Sequence, residues 1–375
     1  MLSKEFFKKY VFPVATLTGG IIGVGIFSLP YVASRSGIGP TILYLIVLTF
    51  VAVLLNVIVG EIALKTPDFK RIPGFVGFHL GKWAKAISLT TAILGGFGVL
   101  LAFLIIGSDF FVNAMSPLVG GNYLSYVFLF FIVAMTFVYA DIKAISKIEL
   151  GSVLLLILTI IVIFIKGFSQ IRFGNIIIQN PELYAQNLFF PYGPIIFSLW
   201  GVGLIPEVEE MVKENKKNIK KIIVTAVIIP AIIYLFFILL ILSLEGRHTT
   251  ESALVGLKNI LGAPIFSMAL FAGAVVVLNA FVSLGLILKK VFMYDLGVKK
   301  SHAIIIVCLV PLILFLLGLR SFLPIISFVG GFFIGIDGIL ILLMYKKIGG
   351  KNILIYPLSL VFLFGIIYEI IYFIK

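Results

Sequence analysis

Cysteine occurs once in the 375 residues, at Cys308, so no intramolecular disulfide can form. Its thiol falls in an apolar run and reads as a small buried hydrophobe. Histidine occurs three times, at His79, His248 and His302, all in loops or at helix ends by pattern, which argues against an intramembrane histidine relay or a haem site. No cluster of Cys, His and Glu suggests a metal, and no Walker-type loop suggests ATP, so primary pumping is not expected. Asn-x-Ser/Thr acceptors are missing. Charge is scarce: Asp, Glu, Lys and Arg make up 12% of the chain, roughly half the share in an ordinary soluble domain.

What fills the chain is apolar. Hydrophobic types reach 61%, and mean hydropathy is +1.23. A single water-soluble core cannot bury that much, so the bilayer must solvate most of it. Formal net charge is +13. The basic residues sit in short loops between apolar runs, not in aromatic-basic clusters, so nucleic acid is not an expected partner and membrane orientation explains the charge better.

A spanning helix needs about 20 mostly apolar residues. Eleven such runs occur, near 11–34, 39–63, 84–112, 122–140, 148–168, 189–211, 220–243, 264–289, 303–319, 322–345 and 353–374, numbered here as spans 1 to 11. No connection is long enough for a soluble domain, so residues 1–375 read as one membrane domain. The basic amino-terminal stretch lacks a small-residue cleavage site and runs on into span 1, so it is read as membrane helix and not as a signal peptide.

Loop charge sets the orientation. With the amino terminus in the cytoplasm, the inner side holds Lys4, Lys8 and Lys9; Lys65, Lys70, Arg71, Lys82 and Lys85; Lys143 and Lys147; and Lys213, Lys216, Lys217, Lys220 and Lys221. It also holds Lys289, Lys290, Lys299 and Lys300, then Lys346, Lys347 and Lys351. The outer side keeps Arg35, Lys166, Arg172, Arg247, Lys258, Arg320 and Lys375. That is twenty-two against seven of the 29 basic residues, and one miscounted span would destroy the asymmetry. A plasma-membrane protein with an outer carboxyl terminus is expected. Two connections look structured. Residues 73–82 should lie along the inner face. The loop after span 7 should hold a short helix capped by Thr249 or Thr250 and ended by Gly262, acting as a lid or as a plain connector.

Span 1 contains Gly19-Gly20-Ile21-Ile22-Gly23-Val24-Gly25-Ile26-Phe27-Ser28-Leu29-Pro30, and span 6 contains Phe197-Ser198-Leu199-Trp200-Gly201-Val202-Gly203-Leu204-Ile205-Pro206. Each glycine weakens a helix by about 1 kcal/mol relative to alanine. In hydrocarbon, freed backbone is tolerated where it lines a cavity. Matched interruptions about half a chain apart point to a transporter site. Unpaired N–H groups at the start of a half-helix can hold a carboxylate, and carbonyls at the end of the other half can hold an ammonium group. Close packing through glycine is the competing reading.

The segment GIIGVGIFSLP resembles the first-helix signature of the amino acid–polyamine–organocation superfamily. Similar to that family, too, are LLAFLIIGSDFF in span 3, NAFVSLGLILKKVFMYDLGVKK from span 8 into span 9, and FLPIISFVGGFFIGIDGILILLMYKK in span 10. The resemblance covers nearly the whole chain and is nearest the hydroxy/aromatic amino acid permeases and the amino acid/auxin permeases. It implies an all-α membrane protein of about eleven transmembrane helices. The expected architecture is a LeuT-type five-plus-five inverted repeat (about 11–168 and 189–345), with broken helices 1 and 6 and an extra helix at 353–374. By motif position Ile21, Gly23, Val24 and Gly25 meet a substrate carboxylate, and Phe197, Ser198, Leu199 and Gly201 face its ammonium group and side chain. Phe103 stands where relatives often have tyrosine, so that hydroxyl is missing. Trp200 either lines the side-chain pocket or faces lipid.

For coupling, Asn279 and Ser283 lie four apart on one face of span 8. In sodium-coupled relatives a cation sits between span 8 oxygens and span 1 carbonyls, here near Thr18 to Gly20. Asn and Ser also serve as interhelical glue, which is the preferred reading of this pair. Proton coupling needs a carboxyl in a low-dielectric place. Asp337 is the deepest candidate, open to function or structural pairing. Glu149 begins span 5, Asp109 ends span 3, and Glu61 and Glu207 sit near inner ends. For Glu207, Glu209 and Glu210, pairing with the lysines from Lys213 to Lys221 is the preferred reading.

The leading expectation is a secondary amino acid transporter using alternating access, with a proton as coupling ion and no other cofactor; sodium coupling or exchange rivals it. A non-transporting sensor would commonly carry a soluble extension, which this chain lacks. An intramembrane enzyme would need a nucleophile with a base at mid-depth, and none is apparent. The nameable pocket residues lack a counter-charge, which favours neutral substrates, aromatic or hydroxylated.

Overall fold

The computed structural model describes residues 4–67, 71–140, 145–177, 187–212 and 218–374. Lys70, Lys143, Lys213, Lys216, Lys217 and Lys375, which entered the charge count, lie outside the described residues. The fold is all-α. Eight helices are long and apolar enough to cross a membrane, and the pair Phe7–Ile21 and Gly25–Ser36 forms a ninth span bent by 51°. A shorter apolar helix, Lys300–Leu316, and the divided segment Tyr192–Ser198 with Ile205–Met211 complete eleven spans among the described residues (8 + 1 + 1 + 1).

Span 2 is Ile38–Lys65, span 3 Lys82–Val119, span 4 Tyr123–Ala140 and span 5 Ile145–Gly167. Span 7 is Ile219–Glu245, span 8 Ala263–Lys290, span 10 Phe322–Lys347 and span 11 Asn352–Ile374. Span 3 runs seven residues past its expected end, with Pro117 inside its last turn, and stops at Gly120, whose φ is 74°. Span 10 contains a π-helical turn at Val329–Phe333, where Gly330 and Gly331 lie.

The helices bury one face and leave another to lipid. On span 2, Leu45, Leu48, Ala52 and Leu55 are buried, while Leu43, Ile46 and Phe50 are exposed. Such an apolar exterior suits hydrocarbon and not water. Span 8 lies along span 3, the first half of span 1 along span 5, and span 7 along spans 1 and 2. Spans 1, 3 and 8 therefore form the centre, and span 11 packs outside span 10.

Both structured connections exist. Ile72–Leu80 is a short helix beside span 3, tied to the end of span 2 by a 2.8 Å hydrogen bond between Thr66 Oγ1 and His79 Nε2. Partial burial pushes the His79 pKa down, so the ring stays neutral at pH 7. After span 7, the helix is shorter and later than expected, a 3-10 turn at Val255–Leu257 leading into Lys258–Leu261, with Gly262 at φ 73° as its stop. Neither threonine holds the N-cap position, which falls at Leu254. Thr249 Oγ1 donates to the Gly246 carbonyl at 2.8 Å, and Thr250 Oγ1 accepts from Gly256 N–H at 3.2 Å. Ala253, Leu254 and Leu257 are buried, so this loop covers the bundle as a plug would.

Candidate functional site

Span 1 breaks between Ile21 and Gly25. Ile22 leaves helical geometry (φ −75°, ψ 81°), and local bonds replace the ladder: Gly23 N–H to Ile21 C=O at 2.8 Å, and Phe27 N–H to Val24 C=O at 3.1 Å. The N–H groups of Val24, Gly25 and Ile26 have no backbone acceptor among the described residues. They sit at the positive end of a twelve-residue half-helix. Span 6 breaks at Leu199 to Gly201, then resumes through a 3-10 turn at Val202–Leu204. Pro206 occupies the start of the second half, where a missing N–H does no harm.

The two breaks touch. A Cβ added at Gly25 would lie 2.8 Å from Ser198 Cβ and 3.0 Å from its Cα, so only glycine lets the chains come this close. Tyr234 of span 7, fully buried, joins them. Its hydroxyl lies 2.8 Å from the Ser198 carbonyl and 3.0 Å from the Ile21 carbonyl, and its single proton serves these two acceptors. Sequence reasoning missed this residue, whose only signal is one hydroxyl in an otherwise apolar run from Ala226 to Leu242.

A cavity of about 230 Å³ opens beside the breaks, lined by spans 1, 3, 6, 8 and 10. Of the sequence candidates, Gly20, Ile21, Gly23, Gly25, Phe103, Phe197, Ser198, Trp200, Gly201, Ser283 and Asp337 all line it. Val24 and Leu199 are fully buried and turn away into the core. Trp200 faces the cavity and not lipid. Near the breaks the walls are aromatic, from Phe103, Phe197, Trp200 and Phe333. Phe103 packs against Gly23, its ring 3.4 Å from where a Cβ would stand.

The cavity extends toward the face that carries the amino terminus, where Arg71, Ile72, Pro73, Ser88 and Val291 line it. Beyond the breaks, on the other side, Phe27 meets Phe110 edge-on at 4.9 Å and Phe237 at 6.3 Å, and all three rings are buried. That aromatic layer, under the loop at Ala253 to Leu257, closes the opposite route. The geometry is that of a carrier open to one face only.

The carboxylates separate into distinct settings. Asp337 accepts a 2.5 Å hydrogen bond from Thr91 Oγ1 and lines the cavity between the breaks and the mouth. Among the described residues Glu207 pairs with two cations: its Oε1 lies 3.1 Å from Arg71 Nη2 and 3.8 Å from Lys290 Nζ; Lys213, Lys216 and Lys217 lie outside the described residues. Glu149 accepts hydrogen bonds from Ser283 Oγ at 2.6 Å and Asn279 Nδ2 at 3.3 Å, so three residues named separately in the sequence form one cluster. Glu369 of span 11 was not anticipated. It is fully buried and accepts a 2.7 Å bond from Ser327 Oγ of span 10. Among the described residues no group of three His, Cys, Asp or Glu could hold a metal ion.

Known proteins agree with this geometry. Among solved structures, MhsT in complex with L-phenylalanine superposes with a TM-score of 0.73 at 14% identity, covering 98% of this chain and 99% of that one. Mhp1, a nucleobase-cation-symport-1 family transporter in a closed conformation with bromovinylhydantoin bound, gives 0.66 at 14% identity over 96% of this chain and 90% of that one. At that identity the likeness establishes the fold, which is the LeuT-type inverted repeat with an appended helix. No curated protein matches in sequence. The tryptophan/tyrosine permease family matches over residues 8–351. The chain thus belongs to the tryptophan/tyrosine permease family and is a multi-pass secondary transporter of amino acids.

Proposed function

We propose that the substrate is a single neutral amino acid with an aromatic side chain, bound with its carboxylate at the N–H groups of Val24, Gly25 and Ile26. Its ammonium group then faces the carbonyl end of the first half of span 6, and its ring lies against Phe103, Phe197 and Trp200. The observation that carries this reading is the wall of the cavity: its charged residues, Asp337 and Arg71, stand toward the mouth, while the breaks themselves face Phe103, Phe197 and Trp200. A basic or acidic side chain placed there would lose its hydration with no counter-charge. The volume of about 230 Å³ suits one amino acid and not a peptide. Relatives named for tryptophan and tyrosine, and a structural neighbour holding phenylalanine, fit the same substrate class.

In this reading the repeats span about 11–168 and 189–345, the protein lies in the plasma membrane with its amino terminus in the cytoplasm, and transport is symport with a coupled ion, a proton in preference to sodium. Counterflow into proteoliposomes preloaded with single amino acids tests it without any ion gradient. Label should accumulate with tryptophan, tyrosine or phenylalanine inside. Accumulation only with arginine, lysine or glutamate, or with none, would overturn the substrate assignment.

A further inference from the structure

Glu149 stands on span 5 near its amino-terminal end and is 1% exposed. Spans 8 and 1 enclose it. From span 8, Ser283 Oγ donates to Oε1 and Asn279 Nδ2 to Oε2. From span 1, the backbone at Gly19 presses against it so closely that a Cβ there would lie 2.8 Å from Glu149 Cβ. Gly19 is three residues before the break.

No cation completes the cluster among the described residues. Span 1 carries no ionisable side chain between Tyr10 and its break, and span 8 carries none before Lys289. Span 7, which also touches span 5, carries Lys220 and Lys221 in its first turn, where Lys221 Nζ lies 5.7 Å from the centre of the Tyr10 ring; from there to Glu245 it offers only Tyr234, whose hydroxyl is committed to Ile21 and Ser198. Lys166 on span 5 is seventeen residues away, about 25 Å along the helix; Lys258 packs near that same far end. A lone ionised carboxylate in such a place is costly, whereas a neutral acid is tolerated. Sodium would want bare oxygens, but the hydroxyl of Ser283 and the amide of Asn279 point hydrogens at the carboxyl.

Ser283 and Gly20 belong at once to this neighbourhood and to the cavity wall. The acid is therefore one side chain from the water that reaches the cavity from the amino-terminal face. We propose that Glu149 is the binding site of the coupled proton, carried as a neutral acid between spans 1, 5 and 8 and released to the cavity past Ser283. Loss of the proton leaves an anion that needs water, which favours separation of span 1 from spans 5 and 8. This assignment rests on the proton-coupled transport reading above.

The test uses full-length protein in proteoliposomes, with tryptophan, tyrosine and phenylalanine as probes. Counterflow first establishes transport; its absence in the wild type for every probe would overturn the transport reading itself. A pH gradient, acid outside and free of sodium, is then imposed. Wild type should accumulate substrate, and Glu149→Gln, fixed in the neutral form, should lose that accumulation at least tenfold while still catalysing exchange. Gradient-driven accumulation by Glu149→Gln at the wild-type level, or wild-type accumulation that follows sodium and ignores pH, would overturn the proposal. Should Glu149→Gln not fold, Ser283→Ala decides. Removing one donor to the anion should move the half-maximal pH for uptake upward by about one unit; an unmoved midpoint would overturn the assignment.

Discussion

Replacing Tyr234 with phenylalanine removes one oxygen and keeps the ring that fills the space between spans 1, 6 and 7. In the native chain that hydroxyl sits 2.8 Å from the Ser198 carbonyl and 3.0 Å from the Ile21 carbonyl. Both acceptors lie at helix breaks, where no ladder bond can take its place. Without the hydroxyl, the buried Ser198 carbonyl loses its side-chain donor and the Ile21 carbonyl keeps only its bond from Gly23 N–H, at a cost of about 1–3 kcal/mol. Because the hydroxyl fixes one break against the other, the penalty should fall on the geometry that holds the two ends of a zwitterion. The expected result is a rise in substrate Kd of about 5- to 150-fold, since 1.4 kcal/mol corresponds to a factor of ten. Binding of radiolabelled tryptophan or tyrosine to purified protein measures this directly, with size-exclusion behaviour as the check on folding. A folded Tyr234→Phe variant with Kd within twofold of wild type would refute the idea that this hydroxyl positions the breaks.

Gly25→Ala places a methyl group against the backbone of Ser198, which cannot rotate away as a side-chain tip could, so counterflow should be lost although the protein still inserts. Gly39→Ala on span 2 meets nothing within 4 Å and serves as the control, with transport expected at wild-type level. At the cavity mouth, Arg71→Gln leaves Glu207, among the described residues, with Lys290 at 3.8 Å. Cys308 is the sole native cysteine and is buried, so Ser88→Cys on the cavity wall gives a clean accessibility probe. Its maleimide labelling should rise about two- to fivefold when Arg71 is replaced, the equivalent of roughly 0.5–1 kcal/mol for a partly exposed ion pair; unchanged labelling would show that this pair does not restrain the mouth.

The two breaks were legible because glycine and proline act through the local backbone, so their consequences lie within a few residues of where they are written. The same holds for the eleven spans, whose signal is summed over some twenty positions each. Side-chain partnerships obey a different rule. Asn279 and Ser283 could be placed on one face of span 8 from their spacing alone. Their common acceptor, Glu149, comes from 130 positions earlier and depends on how span 5 tilts against span 8. Two readings of the pair, cation site or interhelical glue, were separable only once that acceptor was in view.

Glu369 makes the point more sharply. In the sequence span 11 is only an appended helix, and nothing in its pattern singles out Glu369. Yet the carboxyl is fully buried and bonded to Ser327, beside Gly193 of span 6 and Gly331 in the π-helical turn of span 10. The neighbouring Tyr192 donates to the Val361 carbonyl at 3.0 Å, so span 11 is fastened by polar contacts to the outer half of broken span 6 as well as to span 10. The room for that carboxyl comes from missing side chains on two other spans, and a missing side chain leaves no mark in the hydropathy of the helix that profits from it. A carrier whose span 6 moves must break or carry these contacts. The eleventh helix is therefore mechanically joined to the substrate site, although it contributes no residue to the wall of the cavity.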